Sequence, residues 1–394
     1  MKNNTLQPAI ARVPPELSER VRIARFLCIF LMMFVHVQAG IAENVYDRDA
    51  GVFDIVYFVF SRLLGLSSVS LLSVVSGYFI VSSLAKAGAW RLSLSKLRTL
   101  VVPLVAWNLL MLALLAVYGL LTGKWQDMPE LSVMGLADAI LALVNWPVDV
   151  PLWFLRDLFV CCLLSPLLYA GLKRLPVVTI LALVVFMVFG DGWFIMQRPQ
   201  LLLFFGLGMW LRIANPEMHT IDRVARLLAV GLAVMIAVFL TIRFQRILLS
   251  EMDETLRLAL DTLLRVTMAG GFWLFTGAIR HSMLASLCMR MEPYAFFLFC
   301  SHAILFNFGG MAFRRFFGNY GSDLFPVTFF SLPVIAVFCA VAGLQTIRGS
   351  RVLLFLFNAG HGVPPLRQSP QKDRVPERSR TGSPDQMALR RGKG

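Results

Sequence analysis

Apolar runs long enough to cross a membrane recur along nearly the whole chain, and that recurrence restricts what it can fold into. Crossing roughly 30 Å of hydrocarbon takes about 20 predominantly apolar residues in a helix. Candidate runs lie near residues 22–40, 57–84, 99–121, 152–171, 176–194, 199–213, 224–242, 260–279, 293–313 and 325–347. The second is long and is expected to bend near Gly65 or Gly77, whereas residues 131–146 read as an interfacial helix. Only 15% of the 394 residues are charged and 58% are hydrophobic, against roughly 25% charged in a soluble domain. The expected fold is an all-α integral membrane protein, a bundle of about ten transmembrane helices. Three regions follow: an N-terminal segment 1–21, a membrane domain 22–350, and a basic tail 361–394.

Charge placement orients the bundle. An even number of spans puts both termini on one side. If that side is the cytoplasm, 26 of the 37 Lys and Arg fall on it, as the positive-inside bias requires. Acidic residues lean the other way, with Glu43, Asp47, Asp49, Asp54, Asp127, Glu130 and Asp149 in the expected outer loops. The formal charge of +14 therefore marks membrane orientation, with no nucleic-acid partner implied. From about His361 the composition turns to Pro, Arg, Ser, Gly and Gln, which reads as a disordered cytoplasmic tail lying near anionic lipid headgroups. The first run is expected to be a retained span, because a leader of about 25 residues precedes it and His36 interrupts it. The six cysteines have no metal-ligand spacing and read as small hydrophobes.

Ionisable residues inside spans are costly, so they are the candidates for chemistry. His36 lies more than two turns into the first span. Arg25 precedes it by eleven residues, about 1100° of helical rotation, or some 20° past three turns. Both therefore share one face, roughly 16 Å apart along the axis. Arg22 is about 40° off the same line. The alternative is a packed histidine beside ordinary orienting arginines. Arg156 and Asp157 form a second intramembrane feature. Neighbours in sequence point about 100° apart, so each is expected to find its partner elsewhere rather than in the other. They read either as inter-helix ion-pairing groups or, for Arg156, as the counter-charge to a carboxylate on a dicarboxylic acyl group. His302 reads as a packed histidine hydrogen-bonded across helices, Asn108 as an inter-helix hydrogen-bonding residue, and Arg62 and Arg265 as snorkelling side chains.

The Arg-x10-His run resembles the signature of the acyltransferase-3 family, membrane enzymes that acylate sugars and glycans. Other segments are similar to that family in the same order along residues 22–347. They are Leu72–Phe79 with its Ser76-Gly77-Tyr78 core, Lys96-Leu97-Arg98 before Pro103 and Trp107, Leu152–Leu155 with Pro166 and Tyr169, and Tyr294–His302. One departure concerns the basic cluster: Ser95 stands where the family often has an arginine three residues before Arg98. The length and the runs around Ser76 and Trp153 look similar to the succinoglycan succinyltransferase type.

The resemblance implies an O-acyltransferase of the bacterial inner membrane. It would use acyl-CoA (succinyl-CoA or acetyl-CoA) as co-substrate and an exopolysaccharide, or its lipid-linked oligosaccharide precursor, as acceptor. His36 would be the catalytic base. Arg25, Arg22, Lys96 and Arg98 would bind the donor, while Trp153, Arg156, Asp157, His302 and Ser76 would line the acyl or acceptor pocket, with no metal. A transporter or flippase for a lipid-linked sugar is the competing reading, but no pair of interrupted helices in the two halves supports it.

Overall fold

The computed structural model describes residues 13–37, 52–125, 128–190, 195–244 and 252–363. The tail beyond Val363, the loop acids Glu43, Asp47, Asp49 and Asp127, and Trp193 lie outside the described residues. Among the described residues every regular element is helical. In chain order these are α1 (Pro15–His36), α2 (Val52–Phe58), α3 (Ser67–Lys96), α4 (Val102–Thr122), α5 (Val133–Leu141), α6 (Trp153–Arg174) and α7 (Pro176–Phe189). They continue with α8 (Gln200–Ala214), α9 (Met218–Phe244), α10 (Glu254–Ala278), α11 (Met283–Met291), α12 (Ala295–Phe317), α13 (Phe325–Ile347) and α14 (Arg351–Phe357). Helices satisfy all backbone amides within one segment, which is what an apolar environment demands.

Among the described residues, six helical stretches are long and apolar enough to cross a membrane: Phe53–Thr122, Val150–Arg174, Met218–Ile242, Glu254–Ala278, Met283–Phe317 and Phe325–Ile347. The first is 70 residues long and takes in two of the expected spans. It leaves helical geometry at Gly88 (φ 75°, ψ 166°), a conformation that glycine adopts without steric cost. The helices α7 and α8 are apolar but shorter, and α1 carries Glu16, Glu19, Arg20, Arg22 and Arg25 in its first half.

Near Gly65, where a bend is expected, the chain forms a π-helical stretch, Val59–Leu66, leading into α3. A Cβ on Gly65 would lie 2.6 Å from Val35 Cγ2, so the missing side chain lets this stretch pack on the end of α1. Gly77 does something different. A Cβ there would lie 1.9 Å from the Phe205 carbonyl oxygen, and one on Gly208 would lie 2.0 Å from the Val74 carbonyl oxygen. Two glycines on facing helices thus bring the α3 and α8 backbones into direct contact, the small-residue packing that membrane helices use in place of a hydrophobic driving force.

Buried charges fasten the rest. The Arg20 guanidinium, 2% exposed, pairs with Asp222 at 2.9 Å. It also donates to the Trp273 carbonyl at 2.9 Å and lies 4.0 Å over the indole ring. Trp273 Nε1 donates to the same Asp222, so α1, α9 and α10 close around one triad. Arg62 pairs with Asp261 and is buried, so it does not snorkel; the acid on α10 draws it inward. Asn108 joins α4 to its neighbours as expected. It donates to the Ile140 carbonyl at 2.8 Å and accepts the Asp149 amide at 2.9 Å. The short helix α5 exposes Val133 and Met134, consistent with an interfacial position.

At the end of α5, the chain turns back through Asp138. Burial works against its carboxylate, but amide donors from Val144 and Asn145 and the Asn145 side chain outweigh that and hold it below its usual range. This turn sets the position of Trp146.

The α3–α8 contact yields a direct test. Gly77→Leu forces backbone atoms apart and should cost about 1–3 kcal/mol of overpacking. A lower thermal unfolding midpoint in detergent is the expected reading, and an unchanged midpoint would show that the helices do not touch there.

Candidate active site

The site is built at the C-terminal end of α1. His36 is its last residue and is partly buried. Its ring centroid lies 5.3 Å from that of His302 on α12, with the rings tilted by 54°. His302 is 1% exposed, and its Nδ1 lies 2.7 Å from the Phe299 carbonyl of the same helix. The cross-helix hydrogen bond expected for His302 is therefore replaced by one within its own turn, because a free carbonyl stands three residues back. A carbonyl oxygen only accepts, so Nδ1 carries the proton and Nε2 keeps its lone pair. Nε2 is buried, and no hydrogen-bond partner for it is found among the described residues. Two imidazoles from distant parts of the sequence thus stand side by side.

A cavity of about 650 Å³ opens on His36, within the usual range for ligand pockets. Ser70 and Ser73 from α3, Trp146, Trp153 from α6, Arg198 and Arg265 contribute to its walls. Trp153 is where the sequence placed it. Ser76 is not among the lining residues, and its hydroxyl turns back to the Leu72 carbonyl at 2.8 Å. Arg265 also faces this cavity rather than reaching for an interface, and it donates to the Leu66 carbonyl at 2.8 Å.

Arg156 and Asp157 do pair with each other, at 2.7 Å, contrary to the sequence expectation. The 100° between neighbouring Cβ directions fixes where the side chains start, not how far a guanidinium arm reaches. Arg156 also donates to the Ile195 carbonyl at 2.7 Å, while Asp157 accepts the Gln197 and Arg198 amides at 3.0 and 2.9 Å. The pair clamps residues 195–198 onto the start of α6. Its product is the placement of Arg198, whose guanidinium lies 5.2 Å over the Trp146 ring. No ion pair to Arg198 is found among the described residues. Sequence reading passed over Arg198 because nothing local distinguishes it from a loop arginine.

The expected donor-binding cations lie at the other end of α1. Arg25 and Arg22 converge on Glu292, at 3.3 and 3.7 Å, and Arg22 also donates to the Met289 carbonyl. Arg25 lies 5.6 Å over the Phe79 ring. Phe79 lines an apolar cavity of about 330 Å³ that has Phe204 in common with the His36 cavity. Lys96 is partly exposed and Arg98 exposed, and neither is in an ion pair among the described residues. Asp149, which the sequence placed in an outer loop, is fully buried, and neither carboxylate oxygen has a hydrogen-bond partner among the described residues. Burial drives its carboxyl well above the usual range. No group of His, Cys, Asp and Glu able to hold a metal is found among the described residues.

The comparison with known families decides the identity. A family model described as an acyltransferase domain matches residues 19–344, most of the chain. The chain belongs to the acyltransferase-3 family. It is therefore an acyltransferase, and its multiple apolar helices make it a multi-pass membrane protein. The chain is similar to the succinoglycan biosynthesis protein ExoH of Rhizobium meliloti (strain 1021), with 28% identity over 341 residues, 84% of this chain and 89% of that protein. No solved structure matches it. In this acyltransferase the matched region contains both histidines, every residue lining the His36 cavity, and the clamp.

Arg156→Leu would leave the Asp157 carboxylate, 0% exposed, without its cation. Removing one member of a buried pair costs about 3–5 kcal/mol, and the retained amide donors place this case at the low end. A fall in the thermal midpoint of the purified protein is expected. A midpoint equal to wild type would mean that the clamp holds nothing.

Proposed function

We propose that this acyltransferase moves an acyl group from acyl-CoA to a hydroxyl of a bacterial exopolysaccharide or its lipid-linked precursor. It does so within a ten-span bundle of the inner membrane with both termini cytoplasmic. The observation that carries the reading is His36, paired ring to ring with His302, opening on a cavity lined by serines, tryptophans and arginines, in a chain of this family and similar along most of its length to a succinoglycan biosynthesis protein.

In this reading the donor enters from the cytoplasmic end of α1. Its phosphates meet the side chains of Arg22, Arg25, Lys96 and Arg98, of which the arginines offer forked donors that match phosphate oxygens. The Arg25–Phe79 stacking and the cavity bordered by Phe204 trace an apolar course from there toward His36. His36 takes the acceptor hydroxyl's proton as the oxygen attacks the thioester carbonyl. The C–S bond then breaks, the ester forms, and the coenzyme thiolate leaves to be protonated. The buried lone pair of His302 Nε2 gives the site a second acceptor beside the base.

Arg198 is the proposed counter-charge for the free carboxylate of a succinyl group. It takes that role over from Arg156, whose donors are engaged by Asp157 and the Ile195 carbonyl. An acetyl group has no such carboxylate. Arg198→Gln should therefore reduce succinyl transfer more than acetyl transfer.

The function is tested by comparing polysaccharide acyl content in cells carrying wild-type protein or His36→Ala at matched membrane levels. A loss of about 10²–10⁴-fold in transfer rate should leave polymer exported but unacylated. Normal acylation with lost export would favour the flippase.

A further inference from the structure

A second polar cavity, of about 580 Å³, adjoins the first: Trp146 and Val150 line both. Its other walls come from the C-terminal halves of α4 and α12 and the segment after α4. They include Tyr118, Lys124, Asn307 and Arg314. Among the described residues no acidic side chain lines it. Among the described residues, no ion pair is found for the Lys124 ammonium or the Arg314 guanidinium. The Arg314 side chain is partly buried and folds along its own helix. The fold permits this because Gly310 has no side chain: a Cβ there would sit 3.1 Å from Arg314 Nη1.

Lys124 is exposed and Arg314 partly buried, and an anionic group lying between them would pair with both cations at once. The flat faces of Tyr118 and Trp146, with Asn307 able both to donate and to accept, suit the apolar faces and hydroxyls of a sugar ring. A neutral glycan would leave both charges unmatched, and a plain inorganic anion would leave the aromatic faces unused. We infer that this cavity is the acceptor subsite and that it selects a carboxylate-bearing oligosaccharide. The acid group would lie between Lys124 and Arg314, and a hydroxyl would be presented past Trp146 to His36. The assignment rests on the acyl-transfer reading above and names the acceptor class that it leaves open. In the orientation given there, the cavity lies on the outer side.

The test uses the full-length protein in lipid nanodiscs. Binding of a uronic-acid oligosaccharide is compared with binding of the same oligosaccharide after its carboxyls are reduced to alcohols. Wild type should prefer the acidic form by about tenfold or more, the scale of a hydrogen bond to a charged group. The Lys124→Gln/Arg314→Gln double variant should lose that preference and show a raised KM for acyl transfer with kcat little changed, while Arg314→Lys should restore part of it. Equal binding of the reduced oligosaccharide by wild type overturns the proposal even if the double variant does not fold. So does inorganic phosphate competing as strongly as the acidic sugar. His36→Ala separates the two claims, since it should keep the acidic preference while losing transfer. If it keeps both, the acyl-transfer mechanism fails and the subsite stands.

Discussion

A polar group removed from water must find a partner or cost several kcal/mol, and most of the buried charges here obey that rule in ways that hold helices together. Arg20 with Asp222 and Trp273, Arg62 with Asp261, and Arg156 with Asp157 and the 195–198 segment each join elements distant in sequence. These contacts explain charges that an apolar bundle would otherwise exclude. Other side-chain groups have no ion pair or hydrogen-bond partner among the described residues. Arg198, Lys124 and Arg314 line the two adjoining cavities, and His302 Nε2 is buried beside His36. In those places the molecule keeps binding capacity for something that is not itself.

The cavities exist because backbone contact elsewhere is close. Gly77 and Gly208 seat α3 against α8. Ser70, Ser73, Leu201 and Phe204 from those two helices then form one wall of the His36 cavity. The π-helical stretch before α3 turns its start toward the end of α1, with Gly65 against Val35. The Ser-Gly-aromatic run that marks the family is, in this light, a packing device. Its serine hydroxyl satisfies itself on the helix, its glycine admits the neighbouring backbone, and its tyrosine accepts a hydrogen bond from the buried Arg212 at 3.0 Å.

Much of this was legible in the sequence because hydropathy and residue cost act locally. The helical segments and the bridging role of Asn108 followed from single stretches of chain, and His36 stood out as a costly residue in an apolar run. What escaped reading depends on partners far away. Nothing near His302 signals that His36 stands beside it, and nothing near Arg22 and Arg25 signals that Glu292 joins them. Asp149 looks like a loop acid until the fold buries it. The Arg156–Asp157 pairing was misread because helical angles describe Cβ directions, and the loop that draws the two side chains together lies some forty residues on. Family resemblance supplied the order of motifs but not the charges in the cavities.

The central claim is that the His36 imidazole removes the acceptor's proton inside the shared cavity. A rapid-quench single-turnover experiment tests it directly: purified protein loaded with labelled succinyl-CoA is mixed with acceptor oligosaccharide. The account predicts that His36→Ala binds the donor with wild-type affinity while the transfer step slows by about 10²–10⁴-fold. A transfer rate within a few-fold of wild type would contradict it.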